Sequence, residues 1–237
     1  MGKSSHFPPD SAGESLDYKQ SPLCGENQII MVTPTLVKTI ATAAPQTFDQ
    51  FLKQCPEEGR FEWVNGKIIE MVNTREHKLI AEFILFAFHD EIRRLSLNFD
   101  VTTQATIRTE IKTGGFHGRI PDVSVIDRHV WRSDPGDYRA LTEPVQLAVE
   151  VVSSNWETDY FDKLDEYQRL GIKEYWIVDY LAIGSRDILG EPKQPTVSIY
   201  TLNPEGVYDR QAFQGQETLV SPTFAELVLT PEQIFNA

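Results

Sequence analysis

The chain has 237 residues and a mass of 27.0 kDa, room for one substantial α/β domain with a tail but not for two complete domains. A 41% hydrophobic content supports a buried core, and no run approaches the roughly 18 apolar residues of a membrane span. The formal net charge of −13 argues against phosphate-driven binding of nucleic acid over the whole surface, while a carboxylate site for divalent cations would itself be acidic.

Residues 1–44 mix Pro, Ser, Gly, Thr and Gln without a sustained period and are read as a flexible leader, whose IIMV segment could add an edge strand. The first twenty residues have no apolar core of the secretory type, so a cytoplasmic location is the expectation. Cys24 and Cys55 lie far apart with no CxxC or Cys/His cluster, and both read as incidental thiols. One domain is expected over residues 45–237. It opens at Thr47, an N-cap for a short amphipathic helix carrying Phe48, Phe51 and Leu52.

RFEWVNGKIIEM follows, with apolar arms around Asn65-Gly66, a strong hairpin signal because both turn positions need positive φ. Alternation puts Phe61 and Trp63 on one face and Glu62 and Val64 on the other. From Thr74 to about Leu95 the pattern predicts a long helix that buries Leu79, Phe83 and Phe86 against a sheet. Strand-like segments come next in FDVTTQATIRTEI, RIPDVSVID and QLAVEVVS, the last nearly continuous in apolar residues and expected at the sheet centre. RHVWRSDPGDYRALTEP between the second and third reads as a loop. WETDYFDKLDEYQRL is predicted helical with Gly171 as its C-cap, and EYWIVDY returns as a strand, a crossover that should join parallel strands. TVSIYTL and a segment near QAFQ extend the sheet, and FAELVLTPEQIF closes the domain as a turn or short helix. The order of elements predicts an α/β (α+β) mixed sheet flanked by helices.

The candidate chemistry begins with Asp122 at the head of one strand and Glu150 inside another. An ionised acid inside LAVEVVS would lose several kcal/mol of solvation unless paired or metal-bound, so Glu150 needs either a cation or an Arg/Lys partner. Carboxylate oxygens suit Mg²⁺ or Mn²⁺, although Pro-Asp also commonly shapes a turn. A hairpin between the two strands would bring Asp122 and Glu150 together. Lys163 and Tyr167 are i and i+4 on one helical face just after the Glu150 strand; equally, Asp159 and Lys163 have the spacing of an exposed ion pair worth a few tenths of a kcal/mol. His77, near the start of the long helix, has no second His or Cys at ligand spacing and reads as a local hydrogen-bonding residue.

PDVSVI, then VEVVS, then ETDYFDKLDEYQRLGIKEYWIVD, preceded by FEWVNGKIIEM and His77, resembles the Uma-type family of the PD-(D/E)XK nuclease superfamily from about Thr47 onward. The resemblance implies a restriction-endonuclease-like core with Asp122 and Glu150 as metal-binding acids and Glu62 as a further acidic member of the site. The superfamily lysine two residues after the second acid is replaced here by Val152, and the resemblance transfers that role to Lys163 on the following helix, with His77 and Tyr167 as neighbours. It also implies a Mg²⁺ or Mn²⁺ cofactor, hydrolysis of nucleic acid, DNA foremost, and a homodimer without membrane association. A nuclease fold kept as a silent interaction or regulatory module is the alternative, motivated by the acidic charge and the lack of an obvious basic stripe.

Overall fold

A computed structural model describes residues 47–56, 58–133 and 140–237 together with the backbone strand Lys38–Thr39. The expected leader and its IIMV segment lie outside the described residues. The described edge strand is instead β1 (Lys38–Thr39), which pairs with β3 (Lys67–Glu70) through Lys38 opposite Glu70.

Helix α1 (Phe48–Gln54) starts as the sequence predicts, with the Thr47 hydroxyl accepting from the Gln50 N–H. The hairpin of β2 (Phe61–Val64) and β3 turns on Asn65 at φ 51° and Gly66 at φ 77°. Phe61, Trp63 and Ile68 pack with Phe48 and Phe51 in a small aromatic core, while Glu62 faces away from that core and is also buried. β2 continues through β6 (Phe116–Arg119) to β5 (Ile107–Glu110), giving an antiparallel sheet of order β1-β3-β2-β6-β5.

The second sheet has six strands, β11-β10-β9-β8-β7-β4. Its members are β4 (Phe99–Thr102), β7 (Val123–Asp127), β8 (Leu147–Val151), β9 (Glu174–Asp179), β10 (Thr196–Leu202) and β11 (Tyr208–Phe213). FDVTTQATIRTEI, read as one strand-like segment, is divided between the two sheets, since β4 pairs with β7 and β5 with β6. β7 and β8 are antiparallel with Val123 opposite Val149, and β8 and β9 are parallel, the arrangement that the intervening helix predicted. That connection begins with a six-residue π-helical stretch, Thr158–Lys163, and continues as α4 (Leu164–Leu170), capped by Gly171 at φ 90°. Periodicity gave no sign of the π turn. The segment read as a loop after β7 starts with a single helical turn, α3 (Arg128–Trp131).

Helix α2 (Arg75–Arg94) covers one face of this sheet, and the chain closes over it with α6 (Pro231–Phe235); α5 (Arg186–Leu189) lies between β9 and β10. The α2 face that turns inward is His77, Ile80, Ala81, Ile84, Phe88 and Ile92. This corrects the expected burial of Leu79 and Phe86, which are 52% and 62% exposed; Phe83 is partly buried at the margin of the core. The heptad-like spacing of Leu79 and Phe86 competes with an equally apolar set one position further along, and the sheet takes the latter. On the opposite sheet face, Ala148, Val152, Ile177 and Tyr175 pack with Tyr160 and Tyr167 from the crossover helix. No helix among the described residues is long and apolar enough to cross a membrane.

Phe88 is fully buried, stacked on Phe224 and edge-on to Trp176. Phe88→Ala should cost roughly 3–5 kcal/mol in urea unfolding, whereas Phe86→Ala on the outer face should change stability by less than about 0.5 kcal/mol.

Candidate active site

Asp122 sits at the head of β7 and Glu150 near the end of β8, next to each other because those strands pair. The sheet interior leaves neither acid in water: Asp122 is 5% exposed and Glu150 3%. Asp122 is held at both oxygens. Its Oδ2 accepts the Val151 N–H at 2.9 Å and lies 3.1 Å from His77 Nε2, while its Oδ1 takes Arg60 Nη1 at 2.8 Å and Asn73 Nδ2 at 3.3 Å. Arg60 is itself fixed by donating to the carbonyls of Ile120 and Pro121. Burial alone would raise the Asp122 carboxyl, but His77, Arg60 and Lys163 hold it well below the usual carboxylate range.

Glu150 is engaged from the crossover helix. Lys163 Nζ is 2.9 Å from Glu150 Oε2, and the Tyr167 hydroxyl donates to Oε1 at 2.8 Å. The same ammonium lies 3.0 Å from Asp159 Oδ1 and 3.8 Å from Glu62 Oε1. The i,i+4 pair of Asp159 and Lys163 therefore forms, but buried rather than exposed. Burial raises the Glu150 carboxyl, Lys163 opposes this, and the neighbouring Asp122, Asp159 and Glu62 raise it again, leaving it at about 8. Asp159, sharing the same lysine, is also pushed up. Lys163 itself stays protonated, because Asp159, Glu150 and Glu62 outweigh the burial that would lower it.

Glu62 escapes that rise because it has a cation of its own. Arg119 Nη1 donates to Glu62 Oε2 at 3.1 Å, and the Ile120 N–H donates to Oε1. Against burial, these contacts and Lys163 bring its carboxyl below the ordinary value. Arg119, 1% exposed, reaches in the other direction to Glu166 through Nε at 2.8 Å and Nη2 at 2.7 Å. Glu166 is completed by the Thr109 hydroxyl at 2.6 Å and His117 Nδ1 at 2.7 Å.

The structure thus brings Glu62, Asp122, Glu150, Lys163, Tyr167 and His77 into one buried network. The His77 backbone N–H donates to the Thr74 cap within its own helix turn, while its ring reaches Asp122 and the Val151 carbonyl. Sequence reasoning missed Arg60, Asn73, Arg119, Glu166, His117 and Thr109. Part of this set carried a signal: His117 and Arg119 are i,i+2 on a strand, hence on one face, and Thr109 is the register partner of His117. Arg60 and Asn73, just outside the hairpin strands, had none.

Five buried carboxylates, Glu62, Asp122, Glu150, Asp159 and Glu166, face three permanent cations, Arg60, Arg119 and Lys163. With all five acids ionised and before either histidine is counted the network is two positive charges short, and with Glu150 neutral, as a carboxyl at about 8 is at neutral pH, it is one short. A divalent cation with oxygen preference fits this deficit and this donor chemistry. Among the described residues no group of three or more His, Cys, Asp or Glu side chains stands ready to hold a metal ion, since Arg60 and Lys163 occupy the two acids. Beside Asp122, Arg60 Nε and His77 Nδ1 are buried without a hydrogen-bond partner. Asp122 also lines a cavity of about 370 Å³ with Arg60, Asn73, His77 and Lys78.

A mixed sheet flanked by helices, with one acid at the head of a strand, a second near the end of its antiparallel neighbour and a lysine on the next helix, has the layout of the restriction-endonuclease-like class. Residues 48–232 match the family described as "Uma2: Putative restriction endonuclease", and the chain belongs to that family. A solved structure described as a "putative nuclease belonging to DUF820 from Anabaena variabilis" is similar at 20% identity and a TM-score of 0.60, with 81% of this chain and 98% of that chain covered; at this identity the likeness bears on the fold. No curated protein matches the chain.

Glu166 supplies a test of the network at a distance from the paired acids. Arg119, His117 and Thr109 more than offset burial and hold its carboxyl at about 2. A depressed folded value means that its stabilisation is complete above the ordinary value of 4.5 and is lost as the pH falls toward 2. Urea unfolding followed from about pH 6 downward should show roughly 3 kcal/mol of stability disappearing in this window, a component that Glu166→Gln lacks.

Proposed function

We propose that this protein hydrolyses phosphodiester bonds in nucleic acid, with DNA as the substrate and Mg²⁺ or Mn²⁺ as the cofactor. Membership of a family described as a restriction endonuclease supports the nuclease reading. The observation that carries the finer reading is the convergence of Asp122, Glu150 and Lys163 in a site that holds more acids than bases.

Asp122 and Glu150 would hold the cation, with Glu62 as a third acid close by. When bound, such an ion supplies Lewis-acid neutralisation of charge on phosphoryl oxygens. Lys163 is kept protonated by its three carboxylates, so it serves as a hydrogen-bond donor and fixed positive charge rather than as a general base. Tyr167 remains a neutral phenol, since burial and Glu150 raise it well above its ordinary value; its hydrogen bond orients Glu150 Oε1. Water adds to phosphorus, the ester P–O bond breaks, and the products are a phosphate terminus and a free hydroxyl. Arg60, Asn73 and Lys78 line the Asp122 cavity and offer donors to a phosphate backbone there.

A second reading, a nuclease fold that does not catalyse, is favoured by one observation: each acid of the pair already has a side-chain cation. Calorimetry separates the two. The nuclease reading expects Mn²⁺ binding that Glu150→Ala abolishes, and cleavage of double- or single-stranded DNA with Mg²⁺ or Mn²⁺ that falls at least about 100-fold in Asp122→Ala. Absence of Mn²⁺ binding, together with cleavage no faster than in Asp122→Ala, would leave the silent module standing.

Lys163→Met should abolish turnover while the protein still binds Mn²⁺. Because it leaves Glu150 and Asp159 without their ammonium, it should also lower thermal stability in chelator, with Mn²⁺ recovering part of the loss. Turnover like that of the parent protein would reject the role given to Lys163.

A further inference from the structure

We propose that Arg108 and Arg169 form a binding site for a phosphate monoester, the phosphate of a sugar phosphate or a mononucleotide, at the β5 edge of the antiparallel sheet. The inference is independent of the chemistry proposed above, because it uses residues outside the acid network.

Alternation along β5 turns Thr109 toward Glu166 and Arg108 the other way. There Phe116, diagonal to Arg108 across the β5–β6 register, stacks under its guanidinium, with Cζ 3.5 Å from the ring centroid. The ring holds the charge in place and leaves its donors unused: Nε is buried without a hydrogen-bond partner, and no carboxylate or carbonyl among the described residues takes the guanidinium. Of the Lys and Arg side chains among the described residues that are not exposed, Arg60, Arg119, Arg128 and Lys163 each pair with a carboxylate, and Arg108 is the one left without. A sheltered cation with no counter-charge in its own chain marks a place for an anion from outside.

A second guanidinium arrives from α4. Arg169 donates through Nε and Nη2 to Asp165 Oδ2 at 3.0 and 2.9 Å, and Lys112 Nζ lies 2.6 Å from the other oxygen, so Asp165 sets the direction of Arg169 while Nη1 stays unengaged. The two arginines line a cavity of about 360 Å³ with Glu110, Phe116, Thr142 and Leu170, a volume in the range of small-ligand sites. Thr142 is brought there because the Arg108 N–H donates to the Leu141 carbonyl at 2.9 Å. Counting Lys112, three bases meet two acids, Glu110 and Asp165, in a chain whose formal net charge is −13. Two forks held in fixed directions, with a hydroxyl between them in the same cavity, suit the oxygens of one phosphoryl group. Phe116 and Leu170 add apolar surface for the carbon skeleton of an ester, and Glu110 accepts from a sugar hydroxyl while repelling a longer polyphosphate.

Calorimetry on the full chain in chelator tests this, with ribose 5-phosphate and thymidine 5′-monophosphate as probes and inorganic phosphate and succinate as comparisons. The expected result is a Kd below about 1 mM for at least one ester, with inorganic phosphate and succinate at least about fivefold weaker. The ratio between the two esters then identifies the group that carries the phosphate. Arg108→Gln and Arg169→Gln should each weaken the ester at least about tenfold, and Thr142→Val about threefold. Arg169 is exposed, so its replacement leaves the core untouched, and circular dichroism verifies that both variants are folded. No binding of either ester at about 10 mM would overturn the inference, as would parent-like affinity in both arginine variants or succinate binding as tightly as the esters.

Discussion

Removing an acid from water is the constraint on which this protein is built. Each of the buried carboxylates would be strongly unfavourable alone, and none is alone: the Lys163 ammonium serves Glu150 and Asp159 and approaches Glu62, Arg119 joins Glu62 to Glu166, and Arg60 closes over Asp122. In a low-dielectric interior such pairs are held in place less by their net energy than by the cost of breaking any one of them. The consequence is a rigid constellation that is nevertheless short of positive charge. Glu150 feels this most: burial first, and then Asp122, Asp159 and Glu62, push its carboxyl up to about 8 although an ammonium lies 2.9 Å away.

The scaffold explains why the constellation forms where it does. Antiparallel pairing of β7 with β8 sets the two strand-borne acids side by side, and the parallel return to β9 requires a helix that crosses back over the same end of the sheet, carrying Lys163 and Tyr167 with it. The antiparallel sheet contributes from its own side, with Glu62 on β2 and Arg119 on β6 joined across neighbouring strands. Helix α2 adds His77 from the first turn. The site therefore draws on four parts of the fold: the β7–β8 pair, the crossover helix, the antiparallel sheet and α2.

The acidic composition takes a different meaning once these residues are located. The network takes up five buried acids and three bases, Arg119 and Lys163 buried and Arg60 partly so, which changes the formal charge left for the rest of the chain only from −13 to −11. A nucleic-acid substrate would accordingly be drawn by local donors such as Arg60 and Lys78 beside Asp122, not by a long-range field.

Sequence alone determined a good deal. The Asn65-Gly66 hairpin, the crossover between parallel strands, the Gly171 cap and the apolar run around Glu150 all have short-range causes that can be read from a few adjacent residues. The resemblance located Glu62, Asp122, Glu150 and Lys163, and the structure brings these four together. Tertiary structure alone decided which of two competing apolar faces of α2 meets the sheet, since Leu79 and Phe86 fit the helical period as well as Ile80, Ile84 and Phe88 do, and only the shape of the sheet distinguishes them. It also decided the partners of the buried acids. Arg60 meets Asp122 from 62 residues away and Arg119 meets Glu166 from 47, pairings set by strand order and packing, about which no local pattern carries information.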